Sequence, residues 1–186
     1  MSTDGADIKR YWSKSESDTF RPFKLSVAST RLLVTARDTN QLMQLSADGI
    51  ELRRVQLPHY KDSCHAVESP TGTFIVSHGK TQLDQWQVSD VNTGGEVLRH
   101  FSGSRLISLA LFARIAVDSH GNIFVADYAN CCILLLDAQL KLRRIIIDEH
   151  QLNDKQPRHL CYMERTGQLL VAALGKRVAV FDVLRH

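Results

Sequence analysis

Four sets of side chains in this sequence have types and spacings that could do chemistry. Asp127 and Asn130 stand three residues apart at the end of an apolar run and could hold a polar ligand. The same two residue types bond their own backbone in turns, and the turn role is favoured here. Cys131 and Cys132 are adjacent, with Cys64 and Cys161 elsewhere. No C-x-x-C pair occurs, and a vicinal pair is poor disulfide or zinc geometry, so reduced thiols are expected. Basic pairs recur at Lys9-Arg10, Arg53-Arg54, Arg99-His100 and Arg143-Arg144. They could contact phosphates, but charge on outer strands also blocks edge-to-edge pairing, and strand alternation splits each pair between two faces. The fourth set is basic and aromatic: Arg37, His78, Lys80, Tyr128, Lys176 and Arg177, with His59, Tyr60, Lys61, Arg105, Lys155 and Arg158. No Ser/His/Asp spacing and no carboxylate dyad stands out.

The elements that position these residues come from a repeat. A three-residue apolar block ending in valine recurs as Leu32-Leu33-Val34, Phe74-Ile75-Val76, Ile123-Phe124-Val125 and Leu169-Leu170-Val171. The valines are 42, 49 and 46 residues apart. Gly72, Gly121 and Gly167 precede three of the blocks, and Arg31 takes that place in the first. A second short apolar or alternating run follows each block, at Leu42, Trp86, Ile133 and Val178. Runs this short, with β-branched and aromatic enrichment, read as strands. Turn sequences such as Ser69-Pro70-Thr71-Gly72, Asp118-Ser119-His120-Gly121-Asn122 and Asp48-Gly49 join them. A four-stranded meander of about 45 residues, repeated, is the pattern of a propeller blade.

The spacing therefore predicts an all-β fold: a β-propeller of about four antiparallel blades, at about 21–57, 64–101, 113–147 and 157–182. Residues 1–6 are expected to be a flexible terminus. The outer-strand template of Glu51-Leu52-Arg53-Arg54-Val55, Glu96-Val97-Leu98-Arg99-His100-Phe101 and Lys141-Leu142-Arg143-Arg144-Ile145 recurs at Asp7-Ile8-Lys9-Arg10-Tyr11. Residues 7–12 are thus the candidate closing strand for the last blade, which otherwise lacks a fourth strand. The rival reading is an open arc, which would favour self-association. The set with His78 and Tyr128 then falls on second-to-third-strand loops, and the set with Tyr60 and Arg158 on loops between blades. Both would share one rim.

Composition sets the remaining bounds. The chain has 186 residues, 44% of them hydrophobic, enough for one core of ordinary size. A net charge of +3 gives no global field of the kind nucleic-acid arms carry. No apolar run approaches bilayer length, the N-terminus has no signal-peptide pattern, and no N-x-Ser/Thr sequon occurs. A cytoplasmic protein with no membrane partner is expected.

The best-preserved copy, Arg114-Ile115-Ala116-Val117-Asp118 through Gly121-Asn122-Ile123-Phe124-Val125-Ala126-Asp127 to Asn130 and Ile133, resembles the NHL repeat. The resemblance covers about 20–182, and the other three copies are degenerate. It implies a propeller, usually six-bladed, that binds protein or RNA. Cys131 and Cys132 stand where the family often has a basic residue. No RING or B-box spacing and no heptads occur, so ligase activity is not implied. Some similar propellers are zinc lyases of peptidyl hydroxyglycine with histidines at the central channel. Here His65 and His159 stand near the starts of inner strands, but the matching positions are Arg114 or Ile115 and Phe23 or Lys24. A catalytic zinc needs three protein ligands, and no third is found.

The expectation is a non-enzymatic scaffold without cofactor that holds a protein ligand on its loop rim. Binding of RNA through the basic and aromatic rim is the alternative; DNA is not expected. The rim residues are Arg37, His59, Tyr60, Lys61, His78, Lys80, Tyr128, Lys155, Arg158, Lys176 and Arg177.

Overall fold

The computed structural model describes residues 18–28, 30–36, 39–60, 63–80, 83–103, 114–153, 155–175 and 177–183. These form four antiparallel sheets. The first blade holds β1 (Pro22–Ala28), β2 (Arg31–Ala36), β3 (Gln41–Ser46) and β4 (Glu51–Gln56). The second holds β5 (Ser63–Glu68), β6 (Phe74–Lys80), β7 (Leu83–Val91) and β8 (Val97–Phe101). The third holds β9 (Arg114–Val117), β10 (Ile123–Asp127), β11 (Cys132–Leu136) and β12 (Leu142–Ile147). The fourth holds β13 (Pro157–Met163), β14 (Gln168–Ala173) and β15 (Arg177–Asp182), three strands among the described residues. Four blades are present, not the six that the NHL resemblance implies. Residues 7–12 lie outside the described residues.

Hairpin geometry follows from turn chemistry. In five turns the first residue's side chain or carbonyl closes the loop, and the fourth residue takes a left-handed backbone. These turns begin at Ser46, Ser69, Asn92, Asp118 and Asp137 and reach that backbone at Gly49, Gly72, Gly95, Gly121 and Leu140. Asp118 shows the device in full. Its Oδ1 accepts the N–H groups of His120 (2.9 Å) and Asn122 (2.8 Å), and its Oδ2 accepts the Asn122 side-chain amide at 2.8 Å. Asp137 repeats the pattern with Gln139 and Lys141. Asp127 caps the next turn similarly, accepting from the Asn130 N–H at 3.1 Å and its side chain at 2.6 Å. The Asp127/Asn130 pair is therefore a turn lock.

The central strand β10 buries both faces throughout, because sheets flank it on both sides. Leu33, Leu42 and Val55 of the first blade pack on Ala66, Phe74, Val76 and Val91 of the second. Ile75, Trp86, Val88 and Phe101 of the second meet Ile115, Val125 and Leu134 of the third. Phe124, Ala126 and Ile133 of the third meet Leu160, Tyr162, Leu169 and Val171 of the fourth. Outer strands are exposed along most of their length, as their basic pairs require. Arg54 makes ion pairs to Asp18 and Glu51 that hold its guanidinium protonated, and Arg99 and Arg143 pair with Asp90 and Asp137. These cations are spent on the edges, which supports their role in blocking edge pairing.

Candidate upper-rim binding site

The four inner strands β1, β5, β9 and β13 pack side by side in chain order. All start at the same end, here the upper rim, which also carries the β2–β3, β6–β7, β10–β11 and β14–β15 loops. Lys24, His65, Arg114 and His159 hold corresponding places near those starts. In three strands the ladder slips just before the residue: between Pro22 and Lys24, Ser63 and His65, and Pro157 and His159. Bulges re-aim side chains at strand ends and are frequent beside functional sites. Arg114 opens β9 directly, pairing with Ala126.

The four positions share one electrostatic environment. Burial lowers the His65 imidazole to about 3, and the positive charges of Arg114, Lys24 and His159 push it further in the same direction. Burial also lowers His159, helped by Arg114, Lys24 and Arg158. His65 Nδ1 accepts the Ile115 N–H across the blade boundary at 3.5 Å, leaving Nε2 as the protonated nitrogen. The arrangement offers two neutral N–H donors beside two permanent cations, a setting for carboxylate or phosphate. It does not suit a dication, since two of the four positions are themselves cationic.

The rim residues expected from the sequence divide into several groups. Tyr128 and Arg158 come together: the guanidinium lies 5.9 Å from the ring centroid, next in chain to His159. Arg158 belongs to β13, not to a loop, and is exposed. His59 and Lys155 are exposed in inter-blade loops. Lys80 ends β6 and Arg177 begins β15, so both are strand residues. Arg37, Lys61 and Lys176 lie outside the described residues, as does Arg105.

His78 corrects the expectation. It sits inside β6, 2% exposed, and is not a ligand-facing loop residue. Its Nδ1–H donates to the Gly79 carbonyl (3.3 Å), and its Nε2 accepts the Ser89 hydroxyl (2.8 Å). Tyr60 stacks on it, centroids 3.4 Å apart and planes 14° off parallel. Tyr60 is half-buried, and burial raises its phenol, partly offset by Ser89. This pair closes the gap between blades instead of offering an open platform. Of the adjacent cysteines, Cys132 is buried in the sheet, and burial, then Asp127 and Cys131, push its thiol up to about 12.

A depression of about 740 Å³ lies on the opposite, lower rim. Its polar groups latch neighbouring blades. Arg31 of β2 pairs with Glu68 of β5 at 3.2 Å, and Gln44 of β3 donates to the same carboxylate at 3.1 Å. Ser119 donates its N–H (3.2 Å) and hydroxyl to Glu164, joining the third and fourth blades.

The two buried histidines set an acid limit on stability. His65 and His78 fall from the ordinary 6.5 to about 3 and about 4, both chiefly through burial. Unfolded chains therefore take up these protons at a higher pH than folded ones. Full stability is expected above pH 6.5 and is lost as pH falls toward the folded values. Each pH unit in that window removes up to about 1.4 kcal/mol per histidine. Urea titrations at pH 7 and pH 5 check this. Equal midpoints, or a lower midpoint at pH 7, would contradict it.

No family model and no curated protein matches the chain. Solved propellers do match in shape. A protein of unknown function from Bacteroides caccae aligns with TM-score 0.56 and 16% identity over 92% of this chain and 64% of its own. Virginiamycin B lyase from Staphylococcus aureus aligns with TM-score 0.58 and 12% identity, over 91% and 58%. Glutaminyl cyclase from Myxococcus xanthus aligns with TM-score 0.60 and 14% identity, over 87% and 74%. At these identities the likeness establishes the β-propeller fold alone. The chain spans about 64% and 58% of the length of the first two.

Proposed function

We propose that the chain is an NHL-type propeller serving as a binding scaffold, and that its ligand is an acidic protein segment held on the upper rim. The observation that carries this reading is the convergence of Lys24, His65, Arg114 and His159 at the starts of the four inner strands. Arg114 can grip a carboxylate with two parallel N–H bonds, which a lysine cannot do. His65 contributes a neutral N–H, and Lys24 a point charge. The chemistry is recognition, with no bond made or broken.

A second reading, single-stranded RNA, is favoured by the Arg158–Tyr128 stack, because planar and cationic groups together hold unstacked bases. One experiment separates the two. A fluorescent polyglutamate peptide is titrated by anisotropy at low and high salt, with oligouridine as competitor. Salt-sensitive binding of the peptide is expected, weakened about tenfold or more by Arg114→Ala. Tighter binding of oligouridine, lost in Arg158→Ala, would replace this reading with the RNA one. Absence of both would overturn the rim as the site.

A further inference from the structure

In three blades the outer edge of the third strand is covered. β3, β7 and β11 each pair with a fourth strand, β4, β8 or β12, which carries the recurrent basic residues. Among the described residues β15 pairs with β14 alone. Its interior, Val178-Ala179-Val180-Phe181, suits a strand and holds no proline and no charge. Sheet edges that stay unpaired usually carry charge or proline within the strand, and this one does not. Leu42, Val88 and Ile133 of the other third strands are 0% exposed, whereas the corresponding Val178 is 66% exposed, and Val180 two residues on is 55% exposed. Strand pairing fixes the correspondence: Val178 lies opposite Ala172, as Ile133 lies opposite Ala126. Beside this edge runs a groove of about 270 Å³, lined by Ile145, Ile146 and Ile147 of β12 and by Phe181 and Val183.

The first blade is not the surface that meets this edge. Phe20 fills its backward face with Val34, Ala36, Met43 and Leu45, and Asp18, the first described residue, is bound to Arg54 of β4. Among the described residues, no packing comparable to the other three boundaries joins that blade to the fourth. The charges of β15 itself point to its partner. Arg177 opens the strand and Asp182 closes it, with four apolar residues between them. When two copies of this strand run antiparallel, the Arg177 end of each lies beside the Asp182 end of the other. We infer that β15 pairs with β15 of a second copy about a two-fold axis perpendicular to the sheet, so that the two fourth blades become one continuous sheet. Such an axis keeps every side chain on its own face. Val178 and Val180 of both copies then form one apolar row, and Ala179 and Phe181 fall on the opposite face, toward the grooves beside β12. Main-chain hydrogen bonds along the edge supply affinity, and the charged ends fix the direction. The contact is isologous and closes at two copies.

The test uses Arg177→Glu, Asp182→Lys and Val180→Lys, with sedimentation velocity as the readout. The wild-type chain is expected to form a dimer and nothing larger. Arg177→Glu and Asp182→Lys should each weaken dimerisation about tenfold or more, because each sets like charges together at both ends of the paired strands. Their equimolar mixture should recover the dimer, because each copy then supplies the charge that the other lacks. That recovery also shows that both variants are folded. Val180→Lys, which places two lysines side by side in the apolar row, should leave the chain monomeric. A wild-type chain that stays monomeric up to the sub-millimolar range would overturn the inference, meaning that the edge is covered within one molecule or by a different protein. Assemblies larger than a dimer, a dimer that survives Val180→Lys, or a mixture no stronger than either variant alone would overturn the two-fold strand pairing.

Discussion

Phe124→Ala is expected to lower the stability of the whole chain by about 3–5 kcal/mol, the usual range for deleting a buried phenylalanine ring. Phe124 sits in β10 with 1% of its surface exposed. It joins Ala126 and Ile133 against Leu169 and Val171, and its ring stacks on Tyr162 with centroids 5.0 Å apart. The site has little freedom to collapse, because β10 is hydrogen-bonded on both sides to β9 and β11. The cavity would open at the boundary between the third and fourth blades. The fourth blade, with three described strands, depends on that boundary for its core. Urea unfolding followed by tryptophan fluorescence and by far-ultraviolet circular dichroism would measure the effect. A loss below 1 kcal/mol would mean that this boundary is not the packed interface described.

Gly95→Ala is the second large effect, about 2–5 kcal/mol, through backbone and contact together. Gly95 has φ +90°, a conformation L side chains rarely adopt. An added Cβ would lie 2.1 Å from the carbonyl oxygen of Gln56, the last residue of β4 in the preceding blade. That neighbour is backbone and cannot rotate away. The β7–β8 turn would have to withdraw from the first blade, loosening the first boundary. Gly49, also left-handed but with nothing near its Cβ, supplies the control. Gly49→Ala should show the backbone cost alone, and equal losses for both variants would refute the close approach at Gly95.

The blades were legible because turn chemistry and strand period agreed. Asp118 to Asn122 and Ser69 to Thr73 announce hairpins by residue type, and the valine-ended blocks mark the central strands. His78 was not legible as a buried residue. Here β6 and β7 run seven and nine residues, longer than β10 and β11 at five each, so the hairpin extends past the position where a loop was expected. His78 takes the rung that Asp127 holds in the third blade, buried beside Ser89 and Tyr60, and the extra rungs lie beyond it. The upper-rim cluster was only partly legible. Its four members are a lysine, an arginine and two histidines, so no motif ties them together. Register and three ladder slips bring them to corresponding places. The Tyr128–Arg158 pair spans the β10–β11 loop and β13, and only blade packing makes it a contact.

A propeller of this design divides its labour. Lower-rim groups such as Glu68 and Glu164 tie blades together, outer strands carry ion pairs, and Lys24 and Arg114 stand near the starts of inner strands at the upper rim. The most direct test is to locate a bound acidic ligand on the histidine signals. A polyglutamate peptide carrying a nitroxide spin label is added to the protein, and imidazole proton signals are followed by NMR. The expected result is strong broadening of His65 and His159, with His120 in the lower-rim β9–β10 turn unaffected. Broadening of His120 with His65 and His159 unchanged would contradict the account.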